Sequence, residues 1–290
     1  VNGSADAPGA GSGLEVLSSA LAHGGVQGWY RHASATTGTA MDFCVYVPAH
    51  APGARLPVVW YLSCLTAAPQ DIADKGEYRA ACAELGLILV APDTSPRGPQ
   101  VPDDPAESYD FGIAASFYLN ATQPPYAQHY RMETYLTGEL PQLIARHFPA
   151  DLGRQSVLGH SMGGHGALTL ALRHPGRYKA VSALAPIVAA SRTPWGMKAL
   201  KGYLGDDAAA WRAHDAAALI DDGARVAEIL VDQGDADAFL AEQLRPELLR
   251  DACTRAGLPL TLNLRAGYDH AYCFVSTFLS SQLRWHAQRL

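Results

Sequence analysis

The sequence predicts an α/β fold, a mostly parallel central sheet with helices on both faces. Three observations point to it. Short apolar runs of strand length alternate with helical patterns from residue 14 to the C-terminus. Several runs, such as LILVAP at 87–92, are apolar at every position, as strands covered on both faces must be. The chain has 290 residues, 48% of them hydrophobic, enough to bury a large core.

In order, MDFCVYVP (41–48) and LPVVWYLS (56–63) read as strands, rich in β-branched and aromatic residues and bounded by Pro and Gly. Residues 71–85 read as a helix stopped by Gly86, and LILVAPD (87–93) as a buried strand. Residues 132–148 read as a helix with a local blemish at Pro141. RQSVLGHS (154–161) is a strand, and GALTLALRHPG (166–176) a helix ended by Pro175 and Gly176. Three further strands fall in 179–186, 226–235 and 260–270, and residues 271–290 close the chain as an amphipathic helix. Segments 94–131 and 187–225 break the alternation. Both follow strands, so both are expected as active-site loops at the carboxyl edge of the sheet. Residues 14–290 are expected as a single domain, and 1–13, rich in Gly, Ala and Ser, as a disordered tail or expression remnant.

Composition narrows the function. A formal charge of −6 with 17% charged residues and no run of one sign argues against a nucleic-acid or membrane-surface partner. No apolar run is long enough to span a bilayer, and the N-terminus shows neither the basic nor the apolar part of a signal peptide. Five cysteines without metal-ligand spacing read as mostly reduced, buried thiols of a cytoplasmic protein.

The chemistry concentrates at Gly159-His160-Ser161-Met162-Gly163, a GxSxG match between a strand and a helix. Such a turn holds a serine in a strained backbone with its hydroxyl exposed, where the helix N-terminus aims free N–H groups at an oxyanion. Ser161 is therefore the candidate nucleophile. His160 and His165 flank it, but the first should point away from the hydroxyl and the second should pack beside the sheet; both are expected to hydrogen-bond neighbouring loops. Of the later histidines, His174 ends the elbow helix, His214 lacks a strand end, and His286 is expected in solvent. His270 follows the last strand on a loop opening a helix, which suits a base. The acid should leave the preceding strand, where Asp237 is favoured over Asp232 and Asp235; Asp269 is expected to cap a turn. The oxyanion donors are the Met162 amide and one from Cys64 or Leu65.

The blocks YLSCLT, DTSPRG, YDFGIAASFYLNAT, GHSMGGHGAL, SALAPI, PWGMKALKGYLG, DQGDADAFL and GYDHAYCF resemble, in order, those of the S-formylglutathione hydrolase (esterase D) family. The resemblance covers all but the N-terminal tail and implies an α/β-hydrolase fold. It implies Ser161, Asp237 and His270 as the triad, Leu65 and Met162 as oxyanion donors, and Trp195 in the acyl or thiol pocket. The loops around Trp195 and Tyr118 are then expected to recognise the thiol. One departure stands out. The family reads SGLTC where this chain has Ser63-Cys64-Leu65-Thr66-Ala67, so Cys64 either narrows the oxyanion loop or relocates the thiol.

The activity implied is hydrolysis of a small-molecule thioester, S-formylglutathione, with a general short-chain carboxylesterase as runner-up and a catalytically silent binding module behind it. No metal and no organic cofactor are implied, and a homodimer is the assembly the family often forms.

Overall fold

A computed structural model describes residues 13–290. Residues 1–12, and with them most of the tail expected over 1–13, lie outside the described residues. The strands are β1 (Leu14–Ala22), β2 (Gly25–Ser34), β3 (Thr39–Val47), β4 (Leu56–Leu62), β5 (Ile88–Pro92), β6 (Ala150–His160), β7 (Val181–Leu184), β8 (Ile229–Gly234) and β9 (Leu260–Arg265). They form one sheet in the order β1-β2-β3-β5-β4-β6-β7-β8-β9. From β5 to β9 every pairing is parallel. In this half β5, β7 and β8 are buried at every residue; β5 is apolar throughout, while β7 and β8 also bury Ser182, Asp232 and Gln233.

The other end of the sheet differs. β1, β2 and β3 pair antiparallel, and β3 joins β5 antiparallel. Nothing in residues 14–34 was read as strand, because β1 is an edge strand exposed along most of its length and carries no clean alternation. A local signal was present. The hairpin turns through His23-Gly24, with φ of 48° and 75°, the pair of left-handed residues that a two-residue turn between twisted strands requires.

The helices are α1 (Pro69–Lys75), α2 (Arg79–Leu85), α3 (Met132–Thr134), α4 (Leu140–His147), α5 (Met162–Arg173), α6 (Pro194–Leu204), α7 (Ala208–Arg212), α8 (Ala216–Asp221), α9 (Pro246–Ala256) and α10 (Tyr272–Ala287). The single helix expected over 71–85 is two, α1 and α2, parted at Gly76 and Glu77, the latter at φ 52°. The helix expected over 132–148 is interrupted by a π turn, Tyr135–Glu139. Pro141 has no N–H to continue the ladder there, and the turn widens. Segment 187–225, expected as a loop, holds α6, α7 and α8. α8 packs on α5 and α9 and buries Ala216, Ala217, Ala218 and Ile220, whereas α7 buries no residue and rests on its Asp207 N-cap and the helix propensity of alanine.

α10 buries Phe274, Val275, Leu279 and Leu283, and with them His286. The expectation of a solvated His286 is thus overturned. Its Nε2 pairs with Ser182 Oγ at 2.7 Å, and burial pushes the imidazole down to about 3.

Candidate active site

β6 delivers Ser161 to the carboxyl edge of the sheet and α5 starts one residue later. Ser161 has φ 58° and ψ −116°, a left-handed strained backbone for a residue with a Cβ. Two glycines permit the sharp turn. A Cβ on Gly159 would overlap the Gly163 carbonyl, and one on Gly163 would overlap the Leu62 carbonyl at the end of β4. The Ser161 amide donates to the Leu184 carbonyl at 2.9 Å, anchoring the turn to β7.

The loops after β8 and β9 meet above this edge. His270 Nδ1 lies 2.6 Å from Asp237 Oδ2. The Asp237 carboxylate is buried, and it also accepts from the Phe239 amide at 2.8 Å and from Gln233 Nε2 at 3.2 Å. These donors hold the carboxylate in place against the imidazole. The His270 ring packs 4.7 Å from His160, the residue before Ser161, and edge-on to Phe239 at 5.1 Å. Asp232 is committed elsewhere, accepting from Asn263, Arg265 and Gln282 and bracing β8 against β9 and α10. Asp235 accepts from the Gly267 amide and Asp269 from the Ala271 amide.

The two histidines flanking Ser161 depart from expectation. Among the described residues, no ring nitrogen of His160 or His165 makes a well-formed hydrogen bond, although both side chains are buried. Burial pushes His160 well below the usual imidazole range and His165 down to about 4. His165 packs edge-on to Phe117 at 5.4 Å, away from the base.

The loop after β4 carries Cys64 and Leu65 beside the start of α5. Leu65 is buried, and the Met162 amide, as the first of α5, has no intrahelical acceptor. What holds this loop was not legible locally. Tyr118 Oη donates to the Ser63 carbonyl at 2.8 Å, and the Thr66 amide donates to the Ala114 carbonyl at 3.0 Å. Thr94 Oγ1 and Arg97 Nη2 both donate to the Ala67 carbonyl, at 2.6 and 3.1 Å. Arg97 is itself fixed by a two-pronged pair with buried Asp93. The DTSPRG block is therefore a clamp on the loop at 63–67. Tyr118, expected on a thiol-recognising loop, is only 1% exposed and packs against Gly166. The structure corrects that expectation: Tyr118 braces the loop from behind. Burial pushes the Cys64 thiol up to about 11, which leaves it protonated and weakly nucleophilic near neutrality.

Trp195, at the start of α6, packs 4.7 Å from Phe239 and edge-on to exposed Tyr109 at 6.1 Å. Its amide donates to Gln243 Oε1 at 3.0 Å. Trp195, Phe239 and the His270 ring are thus in series, an aromatic wall ending at the imidazole. On the same helix Lys198 is held by Asp104 and Asp110.

The family model for esterases matches residues 34–285. The S-formylglutathione hydrolase of Paracoccus denitrificans (strain Pd 1222) is 46% identical over 276 residues, covering 95% of this chain and 98% of that protein. That of Mus musculus is 45% identical over 280 residues, covering 96% and 99%. The solved structure of an S-formylglutathione hydrolase from Agrobacterium tumefaciens superposes with a TM-score of 0.93 at 52% identity, covering 95% of this chain and 99% of that one. A ferulic acid esterase at 17% identity and a TM-score of 0.69, over 96% and 99% of the two chains, shares the fold. With a strand–serine–helix elbow, an aspartate–histidine pair above it and this likeness over nearly its whole length, the chain belongs to the S-formylglutathione hydrolase family of α/β-hydrolase esterases.

Proposed function

We propose that this chain hydrolyses S-formylglutathione to glutathione and formate, a step in formaldehyde detoxification, through a formyl-serine intermediate. In this reading Ser161 is the nucleophile, His270 the base and Asp237 its orienting acid, within one domain spanning residues 14–290. The observation that carries it is the 2.6 Å bond between His270 and the buried Asp237, set beside a serine held at φ 58°.

Ser161 Oγ attacks the formyl carbonyl and gives its proton to His270 Nε2, while Asp237 stabilises the imidazolium. The oxyanion takes hydrogen bonds from the Leu65 and Met162 amides; loss of one such donor costs on the order of a hundredfold in rate. The C–S bond then breaks and His270 protonates the departing thiolate. Water, deprotonated by His270, attacks the formyl-serine and releases formate. Trp195 and Phe239 wall the acyl side, while Tyr118, Thr94 and Arg97 act only through the oxyanion loop. The exposed, unpaired Cys273 thiol supports a reducing, cytoplasmic setting.

The test is kcat/KM for S-formylglutathione against p-nitrophenyl acetate, with Ser161→Ala as control. A large preference for the thioester supports this reading. Equal or reversed values make the protein a general short-chain carboxylesterase. Turnover that survives in Ser161→Ala removes the serine mechanism altogether.

A further inference from the structure

His160 presents a puzzle that the triad does not absorb. A histidine sealed in a protein interior ordinarily has its ring nitrogens hydrogen-bonded, since each unpaired one costs on the order of 1–3 kcal/mol. Here neither nitrogen makes a well-formed hydrogen bond among the described residues, although the His270 backbone lies close to the ring, and the residue is only 2% exposed. A phenylalanine would fill such a site without that cost. Yet the imidazole lies directly before the nucleophile, tilted 39° against the His270 ring with the centroids 4.7 Å apart. Tyr272 closes its other approach, edge-on at 6.0 Å.

We infer that His160 is a positioning residue for His270: an imidazole kept neutral by enclosure, which holds the base in line with Asp237 and Ser161 and takes no proton itself. The inference rests on the triad proposed above. In water two histidines at this separation would compete for the proton leaving Ser161. Enclosure breaks the tie, because a cation at His160 would have no solvent and no counter-charge, whereas one at His270 meets the Asp237 carboxylate at 2.6 Å. The face of an uncharged aromatic ring favours the adjacent imidazolium over the imidazole. That contact therefore strengthens as the transition state forms. It also keeps water from the ring.

The groups around His270 are few. Asp237 and Phe239 face it from the loop after β8, and His160 from the end of β6. Asp269, next in the chain, turns its carboxylate to the Ala271 amide. Tyr272 opens α10 beside His160, and Cys64 and Lys75 stand behind Tyr272. Among the described residues, no Lys or Arg forms an ion pair or a cation–π contact with His270.

The experiment compares His160→Ala and His160→Phe with the wild type, reading kcat, KM and the pH profile with S-formylglutathione or p-nitrophenyl acetate, whichever is turned over. In the alanine variant kcat is expected to fall about tenfold or more with KM within about twofold, as for a group acting only in the transition state. Loss of the ring face that favours the imidazolium is expected to move the acid limb of kcat/KM to lower pH by about half a unit or more. The phenylalanine variant is expected to recover part of kcat by restoring the wall. Folded variants with wild-type kcat and an unmoved acid limb overturn the inference. Should neither variant fold, histidine-labelled wild-type protein decides by NMR: His160 is expected to stay neutral while His270 titrates, and protonation of His160 alongside it overturns the proposal. If Ser161→Ala is inactive while the His160 variants behave as wild type, this inference alone fails. If Ser161→Ala is active, the triad reading fails first.

Discussion

The nucleophile elbow and the oxyanion loop lie side by side at the same sheet edge, but they are held in different ways. The elbow is shaped by its own residues: Gly159 and Gly163 clear the space and Ser161 takes the left-handed backbone. The loop at 63–67 has one internal bond, from the Ala67 amide to the Cys64 carbonyl at 3.3 Å, and takes its other restraints from outside. Its carbonyls are caught by Tyr118, Thr94 and Arg97, and its Thr66 amide by Ala114. A turn that must be strained encodes its strain locally, whereas a loop that must only be still can take its restraints from anywhere in the fold.

The comparison can be broken first on the acid. Asp237→Asn leaves the shape intact but gives His270 the wrong tautomer, and kcat is expected to fall by about ten-thousandfold with little change in unfolding midpoint. Steady-state kinetics beside a urea titration checks both halves.

Gly163→Ala tests the local elbow. The added methyl meets the Leu62 carbonyl, a backbone group that cannot turn aside, so a loss of about 3 kcal/mol is expected in denaturant unfolding. Wild-type stability here would show that the elbow has slack.

Tyr118→Phe tests the loop. Removing the hydroxyl leaves the Ser63 carbonyl unpaired, at a cost of about 1–3 kcal/mol in stability. We expect kcat to drop about tenfold with KM nearly unchanged, as positioning of the oxyanion donor is lost. A KM effect without a kcat effect would return Tyr118 to substrate recognition.

A last expected effect is on acid stability. Burial lowers His165 and His214 to about 4 and His286 to about 3, below the 6.5 of an ordinary imidazole. The unfolded chain then binds more protons, so this contribution is complete above about pH 6.5 and declines as pH falls toward about 4. Glu133 adds to the decline at lower pH. Burial alone would raise its carboxyl, but bonds from His174 and Arg173 outweigh it and hold the group at about 2, so this stability is lost as pH falls from 4.5 toward about 2. Urea midpoints are expected to fall progressively from pH 7 to pH 3, and in Glu133→Gln to flatten only below about pH 4.5.

What could be read in the chain followed a physical pattern. The parallel strands are legible because burial on both faces leaves an apolar run in most of them, as in β5 and the start of β8. The β1–β2 hairpin was overlooked because an exposed edge strand lacks periodicity, although His23-Gly24 marked its turn. The helices in 187–225 were missed because they are short, and α8 is stabilised by what it packs on. His160 and His165 were expected to be hydrogen-bonded, since sequence shows that a residue is polar but not whether its surroundings offer a partner.

The sequence by itself determined the fold class, the elbow, and the spacing that brings an aspartate and a histidine off successive strands. Those features are local, and their residues must have that chemistry wherever the chain goes. Only the tertiary structure decided that Asp232 is spent on Asn263, Arg265 and Gln282 while Asp237 meets His270. It alone turned Tyr118 from a recognition residue into a brace and sealed His160 against the base. Those outcomes depend on which groups far apart in sequence compete for the same donor, acceptor or space, and that competition exists only once the sheet has closed.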